Sequence, residues 1–198
     1  MSPLGAVLRA AARDLADLTL RWALVGGLAV SARTEPRFTR DVDLVIAVAG
    51  DRDAEQAIHA LQRRGYRIDV LVEQEAAGRL ATARLAPPQE DDAGIVLDVL
   101  FASSGIEPEI TEAAEELETF PGFRVPVAGL GHLLALKLLS RDDRTRPQDR
   151  VDLVTLLRAA TRADLDVARH AVTLIHARGF QRGRNLLRDL EKLIAQGV

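Results

Sequence analysis

The chain contains no cysteine. Disulfides, thiolate zinc sites and cysteine nucleophiles are excluded together, and a reducing cytoplasm is the expected location. Aromatic residues make up 4% of the 198 residues, so the core must be aliphatic. No apolar run approaches the roughly 18–20 residues that span a bilayer. The N-terminus lacks a basic stretch leading into an apolar core, so neither a membrane association nor a secretory signal is expected. His59, His132, His170 and His176 fall in no metal-ligand spacing such as His-x-x-x-His and are read as non-ligands. A net charge of −3 excludes a molecule that is a polycation throughout.

What is present is a globular composition, 47% hydrophobic and 28% charged, sufficient to bury a core. The length fits one domain, or one domain with a helical appendage. Charge is uneven. Residues 107–118 carry six glutamates and no base, whereas residues 158–192 carry eight Lys/Arg against four Asp/Glu. A basic helical face can meet phosphates, although a solvated helix surface is the plainer reading.

Leu4, Val7, Leu8, Ala11, Leu15 and Leu18 recur at helical spacing and predict an amphipathic helix over residues 3–18. Strands are predicted at 22–25, 41–48, 66–73, 79–85, 95–101 and 123–127. Helices are predicted at 27–33, 53–64 and, in the acidic segment, 108–117, with a polar turn at 87–94. Beyond Gly131 the pattern is wholly helical: 132–139, 147–160, 163–178 and 181–195, with Thr145 and Gln148 at capping-box spacing. The fold class is thus α/β (α+β), with an α/β core over 1–128 and a C-terminal helical region over 129–198 packed on it.

Chemistry concentrates between residues 22 and 48. A short apolar strand runs into Gly26-Gly27, and Arg37-Phe38-Thr39-Arg40-Asp41-Val42-Asp43 leads into the next strand. Two residues apart on a strand, Asp41 and Asp43 point the same way, opposite the apolar face of Val42, Leu44, Ile46 and Val48. Asp98 lies in the otherwise apolar strand 95–101, where a carboxylate needs a partner or a metal. If the two strands are neighbours, three carboxylates converge and call for a cation. Mg²⁺ takes oxygen ligands and shares them with substrate phosphates, and two such ions can clamp an in-line displacement. Bare glycine amides at a helix start allow a triphosphate to approach; Ser31 is one turn further on, and Arg33, Arg37 and Arg40 are cations nearby. Each element alone has a plainer reading: a turn, a helix surface, a surface charge or a structural ion pair. Their order, spacing and strand placement agree, and together they predict nucleotidyl transfer.

Gly26-Gly27, thirteen residues, Asp41-Val42-Asp43-Leu44, and then Asp98 within Val96-Leu97-Asp98-Val99 resembles the nucleotidyltransferase superfamily of polymerase-beta-like fold. More narrowly, Arg37-x-Thr39-x-Asp41-x-Asp43 is similar to the AbiEii/MenT-type group of toxin-related nucleotidyltransferases, as are Lys137 on a later helix and Asp149-Arg-Val-Asp152. The resemblance covers roughly residues 20–157. A basic residue often precedes the Asp-x-x-Asp in that group; Gln148 stands there instead. The resemblance implies a small mixed, mostly antiparallel sheet flanked by helices, followed by a helical bundle. It implies Asp41, Asp43 and Asp98 as catalytic, metal-holding residues with two Mg²⁺ ions, Mn²⁺ being a substitute. It implies an NTP held by Gly26, Gly27, Ser31, Arg37, Thr39, Arg40, Lys137 and Asp152. The acceptor it implies is RNA, including a tRNA end, or a protein, with a cognate antitoxin as partner.

Lys137 interrupts the apolar stripe of Leu130, Leu133 and Leu134, so it must either find a partner or extend to solvent. Asp152 is the better placed of the two aspartates to supply one. Residues 178–184 are basic around Phe180; they suit an RNA backbone with one stacked base, or a plain interhelix turn. Rival readings of the whole chain are a small-molecule (aminoglycoside-type) nucleotidyltransferase, a catalytically inactive binding or antitoxin-like module, and a glycosyltransferase. Gly26-Gly27 and Asp98 argue against the last.

Overall fold

The computed structural model describes residues 2–74, 78–88, 94–142 and 147–196. Helix α1 (Pro3–Asp17) begins where the Ser2 hydroxyl accepts a hydrogen bond from the Gly5 amide at 3.2 Å. Pro3 occupies the first turn, where a missing amide costs nothing. Val7, Leu8, Ala11 and Leu15 form the buried stripe, and each fully buried leucine contributes roughly 1.5–3 kcal/mol. Strand β1 (Trp22–Val25) passes without a loop into α2 (Gly26–Arg33). Strand β2 (Asp41–Ile46) follows, then α3 (Asp51–Gln62), β3 (Arg67–Gln74), β4 (Arg79–Ala86), β5 (Val96–Leu100), α4 (Glu107–Glu112), β6 (Glu115–Phe120) and β7 (Phe123–Val127). Helices α5 (Leu130–Ser140), α6 (Pro147–Ala159), α7 (Arg162–Ala177) and α8 (Leu186–Ala195) complete the chain.

The seven strands form one sheet in the order β3-β4-β5-β2-β1-β7-β6. β1–β7 and β2–β5 are parallel, and the other four pairings are antiparallel. This is the mixed, mostly antiparallel sheet expected from the sequence. Leu24, Val42, Leu44, Ile46, Leu97 and Val99 are fully or almost fully buried at its centre, an aliphatic core as the scarcity of aromatics requires. Among the described residues no helix is long and apolar enough to cross a membrane.

Two elements differ from expectation. The acidic segment is not one helix: after α4 the chain turns extended, and β6 pairs antiparallel with β7 across a turn at Gly122, whose φ is +69°. Sheet pairing supplies the backbone hydrogen bonds that local helix propensity would otherwise have claimed, and Leu117 packs against the core while Glu116 stays outside. Helix α8 starts at Leu186 rather than 181, because Arg182 and Gly183 both adopt positive φ, and the Asn185 side chain caps the helix by accepting from the Arg188 amide. The tidy capping box lies at Thr161 and Asp164, ahead of α7. The one expected at Thr145 lies outside the described residues, as do residues 89–93 of the expected turn.

Candidate active site

The register of the sheet sets the site. Asp43 is opposite Val25 on β1 and opposite Asp98 on β5, and Asp98 is opposite Arg84 on β4. Register partners on neighbouring strands present their side chains to the same face. Arg84, Asp98 and Asp43 therefore form a row across the sheet that ends at the β1–α2 turn, with Asp41 two residues earlier on the same face of β2. Asp41 and Asp43 are half-buried, and Asp98 is buried.

The turn requires both glycines. Gly26 has φ +65°, and a Cβ there would lie 1.9 Å from Asp43 Oδ2. A Cβ on Gly27 would lie 2.7 Å from Arg37 Nη2 and 2.9 Å from Thr39 Oγ1. The absent side chains thus let a carboxylate, a guanidinium and a hydroxyl lie directly against the start of α2. Gly26→Ala is expected to cost roughly 1–3 kcal/mol of stability through the left-handed backbone and to displace Asp43. Thermal melting together with a nucleotide titration measures both effects; a variant that binds nucleotide normally would show that the close approach is dispensable.

A second cluster joins the helices to this turn. Asp152 on α6, 1% exposed, receives a hydrogen bond from Arg37 Nη2 to Oδ2 at 2.7 Å and one from Gln148 Nε2 to Oδ1 at 3.3 Å. Lys137 Nζ lies 2.8 Å from Asp152 Oδ2 and donates to Asp149 Oδ1, also at 2.8 Å. Arg37 Nε lies 2.7 Å from Asp152 Oδ1 in ion-pair contact, without hydrogen-bond alignment. The Ser140 hydroxyl donates to Asp149 Oδ2 at 3.0 Å. Burial pushes the Asp152 carboxyl up, but hydrogen bonds and charge from Lys137 and Arg37, with Gln148, outweigh it and hold the group below the ordinary aspartate range. Lys137 thus has the partner its place in an apolar stripe demanded, and Gln148 adds a neutral donor to Asp152.

Gly26, Gly27, Arg37, Thr39, Asp41, Asp43, Arg84, Asp98 and Lys137 share a cavity of about 670 Å³ between the sheet and helices α5 and α6. Val70, Val72 and Leu100 give it an apolar wall, and Arg182 also reaches it. Three expected phosphate contacts are not brought to this cavity. The Ser31 hydroxyl donates to the Gly27 carbonyl and accepts from the Arg37 amide, so it fixes the loop from behind. Arg40 lies over the Phe38 ring, 5.4 Å from its centroid, beside a separate, mainly apolar cavity of about 630 Å³. Arg33 donates to the carbonyls of Val127 and Ala128, both at 3.0 Å, and closes the end of β7. The RNA reading of residues 178–184 also gives way. Phe180 is buried against Gly105, Arg178 pairs with Glu109, and Arg184 donates to the carbonyls of Leu138 and Arg141. The segment is the interhelix turn, and its aromatic ring is unavailable for stacking.

The family model described as "Nucleotidyl transferase AbiEii toxin, Type IV TA system" matches residues 7–196. The chain belongs to the AbiEii nucleotidyltransferase toxin family. An antigenic nucleotidyltransferase-like protein from Paracoccidioides brasiliensis has a similar structure, with a TM-score of 0.53 at 20% identity over 94% of this chain and 91% of that one. The antibiotic-resistance factor ANT(2'')-Ia gives 0.50 at 16% identity over 96% and 92%. At such identities the likeness concerns the fold alone, and its coverage shows that the shared fold includes the C-terminal helices. Compared with curated proteins, the chain has no match.

Arg84 of this AbiEii-family chain belongs to no motif in the sequence, yet it joins the site. Its Nε donates to Asp98 Oδ1 at 2.8 Å and its Nη2 to Oδ2 at 2.7 Å. That fork, together with the charges of Asp98, Asp41 and Asp43, raises the guanidinium pKa against a smaller opposing effect of burial. Thr82 and Arg84 alternate with the buried Ala81, Ala83 and Leu85 on β4, a period-2 signal that places Arg84 on the open face. Among the described residues no three carboxylate or imidazole groups already stand in a metal-ligating cluster, and Asp98 is engaged by Arg84. The donor set nevertheless fits a hard divalent cation. Asp41 and Asp43 line the cavity side by side and Asp98 is in register with Asp43, oxygen donors of the kind such a cation takes.

Proposed function

We propose that the chain transfers a nucleoside monophosphate from an NTP to an acceptor hydroxyl and releases pyrophosphate. The observation that carries this reading is the row of Asp43 and Asp98 beside Asp41, ending at a glycine turn that accepts no Cβ. Family membership supports it, since it implies an NTP and a divalent metal.

Asp41 and Asp43 would hold Mg²⁺, two ions when Asp98 joins them. Bound there, the metal would supply Lewis-acid stabilisation of charge on the transferring phosphoryl group. Gly26 and Gly27 present backbone amides at the start of α2 to the β- and γ-phosphates. Thr39 and Arg37 lie against that turn, and Asp152 holds Arg37 in place. Lys137 adds positive charge from α5 while its two aspartates fix its ammonium. Asp98, the least exposed of the three carboxylates, is the residue assigned to accept the acceptor hydroxyl proton. The acceleration comes from positioning and electrostatics, as in phosphoryl transfer generally.

We assign RNA as the acceptor class and toxin of a toxin–antitoxin pair as the biological role. Val70 and Val72, about half exposed on β3, offer an apolar surface to a base beside the cavity. The family's description as a type IV toxin supports an antitoxin partner. Incubation with each labelled NTP, total RNA and cell lysate tests the assignment. Label is expected on RNA. Label on protein alone would contradict the RNA assignment, and label on nothing would favour an inactive module.

A further inference from the structure

Arg84 grips Asp98 at both oxygens, at 2.8 and 2.7 Å. Bidentate, charge-assisted pairs of this kind are among the stronger side-chain hydrogen bonds. The two partners are unequally placed: the Asp98 side chain is 12% exposed and that of Arg84 is 44% exposed. The guanidinium can therefore swing into the cavity, whereas the carboxylate stays in the row. Asp41 and Asp43 also stand close enough to act on the guanidinium through their charge. Arg84 thus sits where the acidic row most needs a cation.

We infer that Arg84 is a positioning residue that stands in for the divalent metal at Asp98. It holds the third carboxylate fixed in the row while the site holds no cation, and it releases that carboxylate when a metal–nucleotide arrives. The inference rests on the reading of this cavity as a metal–nucleotide site. Metal and guanidinium compete for the same oxygens, so metal alone binds weakly. A triphosphate in the cavity gives the displaced guanidinium a new partner, so nucleotide and metal assist each other through Arg84.

The test is a Mn²⁺ titration followed by the electron paramagnetic resonance signal of free Mn²⁺, with and without a non-hydrolysable NTP. Removing the fork frees both Asp98 oxygens and removes a positive charge, and both changes favour the metal. Arg84→Met is expected to bind Mn²⁺ alone about tenfold more tightly than the unaltered chain. The double variant Arg84→Met, Asp98→Asn is expected to lose that gain. Added nucleotide should tighten Mn²⁺ binding more in the unaltered chain than in Arg84→Met. If the Met variant melts below the working temperature, Arg84→Lys carries the test. It keeps the charge without the fork, and a gain of about threefold is expected. Equal or weaker Mn²⁺ binding in a folded Arg84 variant, with Asp43→Asn still abolishing binding, overturns the role of Arg84 alone. Mn²⁺ binding by Asp43→Asn as tight as in the unaltered chain overturns the metal-site reading itself.

Discussion

Asp43→Asn is expected to lower NMP transfer by roughly a thousandfold or more, the scale of removing several kcal/mol of metal-borne charge stabilisation. The melting temperature should stay the same or rise. The amide keeps the shape of the carboxylate, so it still fits against Gly26, where the backbone leaves no room for a Cβ. It removes one of the three negative charges that Asp41, Asp43 and Asp98 bring together on the β2–β5 ladder. Loss of activity without loss of stability separates a functional carboxylate from a structural one. A labelled-NTP assay and a melting curve on the same preparation decide it; full transfer activity in the variant would sink the assignment.

Asp152→Ala is expected to behave in the opposite way and to destabilise the fold. Asp152 is buried and accepts from Arg37 and Gln148, with Lys137 in contact at 2.8 Å. Its removal leaves the largely buried Arg37 guanidinium without the Asp152 carboxylate, while Lys137 keeps Asp149, a change that costs about 3–5 kcal/mol in comparable sites. It also unties α6 from the loop before β2, so nucleotide affinity should fall with stability. Asp152→Asn is expected to be milder at neutral pH. The sign of the pH dependence follows from the lowered pKa of Asp152. Its stabilisation is fully present above the ordinary aspartate range and is lost as pH falls through the folded-state pKa. The stability gap between the unaltered chain and Asp152→Asn should therefore be constant near neutrality and should close in acid. Denaturant unfolding across that pH range measures it, and a gap that widens in acid would contradict the ion-pair account.

Much of this was legible because the informative residues break a pattern. Asp98 interrupts an apolar strand, Lys137 interrupts an apolar helix stripe, and Gly26-Gly27 interrupts a strand-to-helix passage. Each interruption implies a partner or a close approach, and the structure supplies Arg84, Asp149 with Asp152, and Asp43 with Arg37 and Thr39 respectively. The misses have an equally physical origin. Segment 107–118 has the composition of an acidic helix, yet pairing with β7 turned half of it into a strand, a long-range contact that composition does not encode. Ser31 and Arg40 are close to the glycine turn in sequence, but a helix turn and a loop direct them elsewhere. Phe180 looked available because its neighbours are basic, and its burial depends on Gly105, far away in the chain. Arg84 is recognisable only once β4 is known to lie beside β5.

The most direct measurement is a crystal structure with Mn²⁺ and a non-hydrolysable NTP, with the metal located by its anomalous scattering. The account predicts manganese at Asp41 and Asp43, the Arg84 guanidinium swung away from Asp98, and the triphosphate against Gly26 and Gly27. Manganese absent from that position, or a triphosphate bound away from the glycine turn, would contradict it.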